Sequence, residues 1–254
     1  MTTGEPIYID PLSTSSLILE QRVNGQPLGT ATGFCVRKGA TNYLVTNWHV
    51  VAGRNPDTGA ILSPTAAVPD QLLIAYHAAG QLGTWYIKPE PLYDAAHKPR
   101  WIEHQSGKTV DVVALPLSGL GSDVTIYPLD LSLADADVVV QVAMPVSIVG
   151  FPLGLATAGA WPIWKTGHIA SDPGLNYDGR PAFLIDATTR GGMSGSPVIL
   201  RLYGGYATKN AAMVLGGGPA TKFLGIYSGR IHDQSEIGRV WRPSVLADIM
   251  GSAP

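Results

Sequence analysis

The sequence predicts an all-β fold, and three observations carry that expectation. Gly 30 and Pro 20 in a chain of 254 residues both exceed ordinary usage, and these residues build tight turns while breaking helix interiors. Runs rich in β-branched and aromatic residues, each bounded by turn residues, recur from Leu17 to the end of the chain. No self-similarity is evident at periods of about 20–50 residues, which argues against a propeller or a solenoid.

In order, examples are Thr32 to Arg37, Tyr43 to Thr46, Leu72 to Ala75, Thr84 to Lys88, Val110 to Leu117, Val146 to Gly150, Ala182 to Asp186, Pro197 to Leu202 and Phe223 to Tyr227. The stretch Ser118 to Asp137 is rich in Gly, Ser and Asp without a strong pattern and reads as a connection between two β units. Pro243 to Met250 opens with Pro and spaces Leu246, Ile249 and Met250 three and four apart. A short C-terminal helix with Pro at its first position is expected there. From Val138 to Trp164 no side chain is charged, a length that could span a bilayer as a helix. Pro145, Pro152, Pro162, Gly150, Gly154 and Gly159 interrupt it, and lipid offers broken backbone pairs no water. Buried strands and turns are therefore expected, and no membrane span.

With 45% hydrophobic and 14% charged residues, the chain can bury a sizeable core in one or two compact units. A formal net charge of -2 and no run of Lys or Arg leave no electrostatic footprint for nucleic acid, so none is expected as a partner. Cys35 is the only cysteine, which excludes an intramolecular disulfide. Between Phe34 and Val36 it reads as a small buried residue rather than a reactive thiol. The N-terminal MTTGEPIYIDP lacks a basic stretch followed by an apolar core, so no secretory leader and a cytoplasmic location are expected, although a mature secreted form would look the same.

Three segments carry chemistry. Arg190-Gly-Gly-Met-Ser-Gly-Ser-Pro197 sets a serine among glycines. A hydroxyl attacks at neutral pH only if a base takes its proton and donors hold the growing oxyanion, and glycines let backbone N–H groups come close. Gly192 and Ser194 are placed to supply those donors, but alone such a segment reads as a turn. Tyr43-Leu-Val-Thr-Asn-Trp-His-Val-Val51 runs an apolar strand into a histidine. Val110-Asp-Val-Val-Ala-Leu-Pro-Leu117 places a carboxylate at the head of an apolar run, where burial is costly unless a partner such as an imidazole N–H satisfies it. Together they put His, Asp and Ser in the chain order of the chymotrypsin triad.

These three motifs, Thr46-Asn-Trp-His-Val-Val, Asp-Val-Val-Ala-Leu and Gly-Met-Ser-Gly-Ser-Pro, resemble those of trypsin-like serine peptidases, in particular bacterial glutamyl endopeptidases and the high-temperature-requirement peptidases. Val149-Gly-Phe-Pro-Leu-Gly154 and Leu224-Gly-Ile-Tyr-Ser228 are similar to further segments of those groups, so the resemblance runs from about Thr32 to Gly229. It implies two packed antiparallel β-barrels, over residues 15–125 and 126–242, with the active site in the cleft between them and a helix over 243–250. It also implies a serine endopeptidase with His49 as base, Asp111 as its orienter and Ser194 as nucleophile. Gly192, Met193 and Ser194 would form the oxyanion loop. Polypeptide is the implied substrate, and no cofactor is implied. Met193 stands where many digestive and clotting members carry an acidic residue before the nucleophile, so no zymogen switch of that kind is expected. No PDZ-like domain is expected to follow.

The resemblance places the first substrate pocket at Thr188 and Thr189, with Tyr227, Ser228, Gly229 and Arg230 as the opposite wall. A neutral floor cannot compensate a desolvated cation, so basic residues before the scissile bond should be poor substrates. Tyr227 stands where glutamyl endopeptidases use a histidine, so a strict Glu preference does not carry over. Arg230, or Arg190 turned inward, would favour an acidic side chain; otherwise the pocket takes a small or medium apolar one. Other readings fit less well. Asp94 could orient His49 but lacks the strand context of Asp111. His77, His97, His104, His168 and His232 show no ligand spacing, and no metal is expected. An α/β-hydrolase esterase would need its histidine after the serine, where only His232 serves, and a helix where Pro197 stands. A catalytically silent barrel that only binds remains an alternative function.

Overall fold

The structure, a computed structural model, describes residues 7–216 and 218–253. The first six residues, part of the stretch read for a leader, lie outside the described residues. Period-two burial builds the first unit: β1 (Ser16–Val23) buries Leu17 and Leu19 while Ile18 and Glu20 stay partly exposed. It pairs with β2 (Gln26–Lys38), which turns back into β3 (Thr41–Thr46) and the one-turn helix α1 (Trp48–Ala52). Adding β4 (Gln71–Ala78), β5 (Trp85–Pro91), β6 (Ile102–Glu103), β7 (Val113–Pro116) and β8 (Val124–Thr125) gives an eight-stranded antiparallel sheet in the order β5-β4-β1-β2-β3-β7-β6, with β8 on β4. Leu19, Leu44, Val51, Ile74, Tyr76 and Leu115 are among its core side chains.

The second unit closes on itself. β9 (Pro145–Gly150), β10 (Ile163–Ile169), β11 (Ala182–Asp186), β12 (Pro197–Leu202), β15 (Ala220–Arg230) and β16 (Ile237–Trp241) form a barrel in the order β10-β11-β16-β15-β12-β9. A hairpin of β13 (Gly205–Ala207) and β14 (Met213–Leu215) projects from it, and α2 (Pro243–Ser252) follows with Pro at its start. Closure needs close backbone approach at Gly225, whose φ is +139° and where any Cβ would overlap the Trp241 carbonyl oxygen.

A third core is shared by both units: Phe34, Tyr43 and Val112 meet Ile199, Phe223 and Trp241, and α2 adds Leu246 and Ile249. The chain ends cross this interface in opposite directions. Near the start, Arg201 of β12 is paired with Asp10, and the Trp164 indole N–H donates to Ser13 Oγ at 2.9 Å. Near the end, Lys38 Nζ donates to the Ala253 carbonyl at 2.5 Å, and His104 Nε2 lies 3.3 Å from Asp248 Oδ2.

The antiparallel all-β class and the C-terminal helix stand as expected, the helix running two residues further. The run from Val110 is a strand only over Val113–Pro116; Asp111 sits in the turn before it, because Val112 N–H folds back onto the Val110 carbonyl at 2.8 Å. β10 and β16 are not among the runs named from the sequence, nor are the short β6, β8, β13 and β14; in β10 and β16, Lys165, Gly167, Gly238 and Arg239 break the apolar pattern. The uncharged stretch from Val138 holds β9, a turn and the start of β10, and among the described residues no helix is long and apolar enough to cross a membrane.

Candidate active site

α1 is wedged into the core by Trp48, Val50, Val51 and Ala52, all buried, which leaves His49 as its outward residue with 18% of its side chain exposed. Gly53 ends the helix in the left-handed region (φ 61°), and its N–H returns to the His49 carbonyl. Asp111, with 2% of its side chain exposed, is satisfied by three donors. His49 backbone N–H reaches Oδ1 at 2.8 Å, while His49 Nδ1–H and Ser228 Oγ–H reach Oδ2 at 2.7 and 2.6 Å. Asn47 Nδ2 donates to the Asp111 backbone carbonyl at 2.6 Å and holds the turn itself. This resolves the cost of burying a carboxylate. Since Nδ1 carries the proton, Nε2 is left with a free lone pair. Burial alone would push the imidazole below its ordinary value, but the Asp111 charge and hydrogen bond outweigh it, and the net shift is upward.

Ser194 lies on the loop into β12 and lines the same cleft as His49 and Asp111, a cavity of about 690 Å³. Among the described residues no hydrogen bond joins the Ser194 and His49 side chains; such bonds tighten when substrate binds. Arg190 to Met193 is a type II turn: Met193 N–H donates to the Arg190 carbonyl at 3.3 Å, and the third position is Gly192 with φ 90°. The Gly191 carbonyl accepts from Leu153 N–H at 2.6 Å. A trans peptide sends its N–H the opposite way, so the Gly192 N–H points away from Leu153. Among the described residues neither Gly192 N–H nor Ser194 N–H makes a hydrogen bond, so both are available to an oxyanion. Met193 differs: its N–H closes the turn and its side chain is fully buried in the barrel, so it anchors the loop and offers no donor.

A hub behind this turn was not foreseen. Thr32, fully buried on β2, accepts from Phe151 N–H at 3.1 Å and donates through the same hydroxyl to the Gly192 carbonyl at 2.8 Å. Its backbone N–H also donates to the Ser194 carbonyl at 2.9 Å. Gly192 is required twice over, since a Cβ there would overlap the Phe151 carbonyl oxygen.

The residues assigned to the first pocket do not share one fate. Ser228, Gly229 and Arg230 line the cleft with His49 and Ser194, although the Ser228 hydroxyl is committed to Asp111. Thr188 is exposed. Thr189 and Tyr227 are buried and hydrogen-bonded to each other, the Tyr227 ring lying where a Cβ on Gly238 would be. Burial pushes the Tyr227 phenol up to about 12, so it stays neutral. Arg190 turns to Glu236, 3.3 Å away at the surface, rather than inward.

The remaining candidates lie elsewhere. Asp94 caps its own loop, accepting from Ala96 and Lys98 N–H. His77 is buried beside Trp85, Tyr127 and Trp161, with Nε2 3.0 Å from the Thr14 carbonyl. His97 and His168 are exposed, and among the described residues no three His, Cys, Asp or Glu gather as a metal site. Cys35 is buried, and burial raises its thiol to about 12, so it is unreactive at neutral pH. Every strand pair among the described residues is antiparallel, and Ser194 precedes a strand, which removes the strand-to-helix elbow an α/β-hydrolase esterase needs.

Comparison with known proteins agrees with this architecture. No curated protein sequence matches the chain. Among solved structures, the serine endoprotease from Yersinia pestis is similar with a TM-score of 0.52 at 14% identity, over 97% of this chain and 67% of that one, a likeness of fold. The active form of the Rv3671c protease from M. tuberculosis gives a TM-score of 0.49 at 17% identity, over 94% of this chain and 81% of that one. The profile of the trypsin-like peptidase domain matches residues 31–204. That match spans well over half of a chain already seen to fold as antiparallel sheet and barrel around one cleft, and on it the chain belongs to the trypsin-like peptidase family.

Proposed function

We propose that this peptidase is a serine endopeptidase that cleaves polypeptides through an acyl-enzyme. The observation that carries the reading is the bond between His49 and the buried Asp111, which favours the proton on Nδ1 and leaves Nε2 as a base in the cleft that Ser194 also lines. In this mechanism Nε2 takes the Ser194 proton as Oγ attacks the peptide carbonyl. The oxyanion is held by the N–H groups of Gly192 and Ser194, and the imidazolium is stabilised by Asp111. The proton then passes to the leaving amine, and water, deprotonated by the same Nε2, releases the acyl group and restores Ser194. At the expected floor of the first pocket Thr189 and Tyr227 are neutral and bonded to each other, so on this reading they supply no carboxylate to pair with Lys or Arg before the scissile bond.

The experiment is covalent labelling of Ser194 by a fluorophosphonate, together with turnover of a peptide library by the Ser194→Ala chain. Labelling at Ser194 and a kcat lowered by about 10⁴ or more are expected, with little change in thermal stability. Near-native turnover by Ser194→Ala would sink the assignment.

A further inference from the structure

The cleft holds a cation whose hydrogen-bonding groups are unused. Arg239 on β16 has only 14% of its side chain exposed. Its guanidinium carbon lies 5.8 Å from the Tyr177 ring centre and 5.7 Å from that of Trp241. Among the described residues it makes no hydrogen bond, and its Nε is buried without a partner. The nearest carboxylate is Asp57, whose Oδ2 is 3.9 Å from Nη1, close enough for attraction but too far for a hydrogen bond.

Asp57 belongs to the other unit. It reaches across from the loop after α1, and its Oδ1 accepts from Arg180 Nη1 at 2.6 Å. Both sides of this contact are built. Asn55 Oδ1 accepts from the N–H groups of Asp57 and Thr58 at 2.9 and 3.0 Å, which fixes the loop tip. Arg180 follows Asp178-Gly179, whose φ values of 54° and 67° make the type I′ turn that closes a tight hairpin. Asp178 Oδ2, 3.7 Å from Arg180 Nε, is the other acid near the pair, while Arg230, His232 and Asp233 also line the cleft.

Arg239, stacked and rigid, and Asp57 line the cleft with His49 and Ser194, and Arg180 reaches the same Asp57 carboxylate from beside it, so two guanidinium groups flank one carboxylate position as a fork. Asp57 fills it incompletely, satisfying Arg180 but not Arg239. We propose that Arg180 and Arg239 form a carboxylate-recognition site of the cleft, held by Asp57 in the free protein and taken by an acidic group of the polypeptide substrate when it binds. The inference rests on the reading of this cleft as the substrate channel. It makes Asp57 an internal competitor and Arg239 a specificity-determining residue.

The test separates binding from turnover. Peptides that differ only by Glu or Gln, placed at each position in turn and with free or amidated C-termini, are titrated by fluorescence anisotropy against Ser194→Ala protein. Their cleavage by the active chain is followed in parallel. One position is expected to bind Glu about tenfold more tightly than Gln, the ratio one charge-assisted hydrogen bond supplies. Asp57→Asn raises that ratio, while Arg239→Gln or Arg180→Gln collapses it. If only the free C-terminus is preferred over the amide, the recognised group is the chain end rather than a side chain. Equal affinity for acid and amide forms at every position, in both the Ser194→Ala background and its Asp57→Asn derivative, overturns the proposal. Charge-dependent binding without cleavage of any peptide by the active chain would instead refute the peptidase reading and leave this one standing.

Discussion

At the scale of single residues, the proposed mechanism makes the His49–Asp111 pair decide when the site is active. As the proposed base, His49 works only when neutral, and its pKa is raised in the folded chain, the Asp111 carboxylate outweighing burial. The rise of kcat/KM with pH should therefore have its midpoint above about 6.5, the ordinary imidazole value. Asp111→Asn removes the charge and the preferred acceptor of Nδ1–H, so the midpoint should move down and kcat should fall by about 10⁴ as the tautomer preference is lost. A pH–rate series on both chains checks this; an unmoved midpoint in the variant would show that another group titrates. The three proposed catalytic residues could be read because each sits in a short local motif. Ser228 and Thr32 could not be given their observed roles, because their bonds to Asp111 and Gly192 join positions 117 and 160 residues apart in the chain. Arg239 gave no signal at all, being one arginine in a strand whose apolar pattern it breaks.

Among the elements, β2 does more than supply a wall of its sheet. The Arg190–Met193 turn, the proposed oxyanion loop, is held from outside by two bonds, Leu153 N–H to the Gly191 carbonyl and the Thr32 hydroxyl to the Gly192 carbonyl. Thr32 must donate to Gly192 and accept from Phe151 at once, which a hydroxyl can do and a methyl cannot. Thr32→Val should lower kcat by about tenfold to a hundredfold, part of the cost of losing an oxyanion donor, with a smaller effect on KM. Thr32→Ser should restore most of it. Thr32→Val also strands a buried carbonyl and N–H, at a cost of about 1–3 kcal/mol visible in thermal unfolding. If Thr32→Val loses stability but keeps kcat, the turn holds itself. β11 and β12, each opening on four consecutive apolar residues, were legible to the residue. Those carrying Gly and Arg against the barrel were not, because the barrel's curvature, rather than a simple inside and outside, chose their residues.

For the molecule as a whole, the core shared between the units should make unfolding cooperative. Ile249 of α2 is fully buried in that core, so Ile249→Ala should cost about 2–5 kcal/mol. At about 2–4 °C per kcal/mol for a chain of this size, Tm should drop by roughly 4–20 °C. A single transition, coincident with loss of activity, is expected by calorimetry. Two separated transitions would mean that each unit stands on its own core. The crossed ends described above carry a further consequence. Residues 10–13 are gripped by the barrel they precede, and α2 is gripped by the sheet it follows, so parting the units strips both ends in one concerted rupture. Opening a hinge between the units would cost both sets of contacts at once. Held in this way the cleft resists widening, like a slot milled into solid stock, and suits a segment that arrives already thin. On the proposed endopeptidase reading, loose tails and exposed loops meet that gauge better than an intact globule does, so targets would be sorted by their lack of structure before any side chain is read.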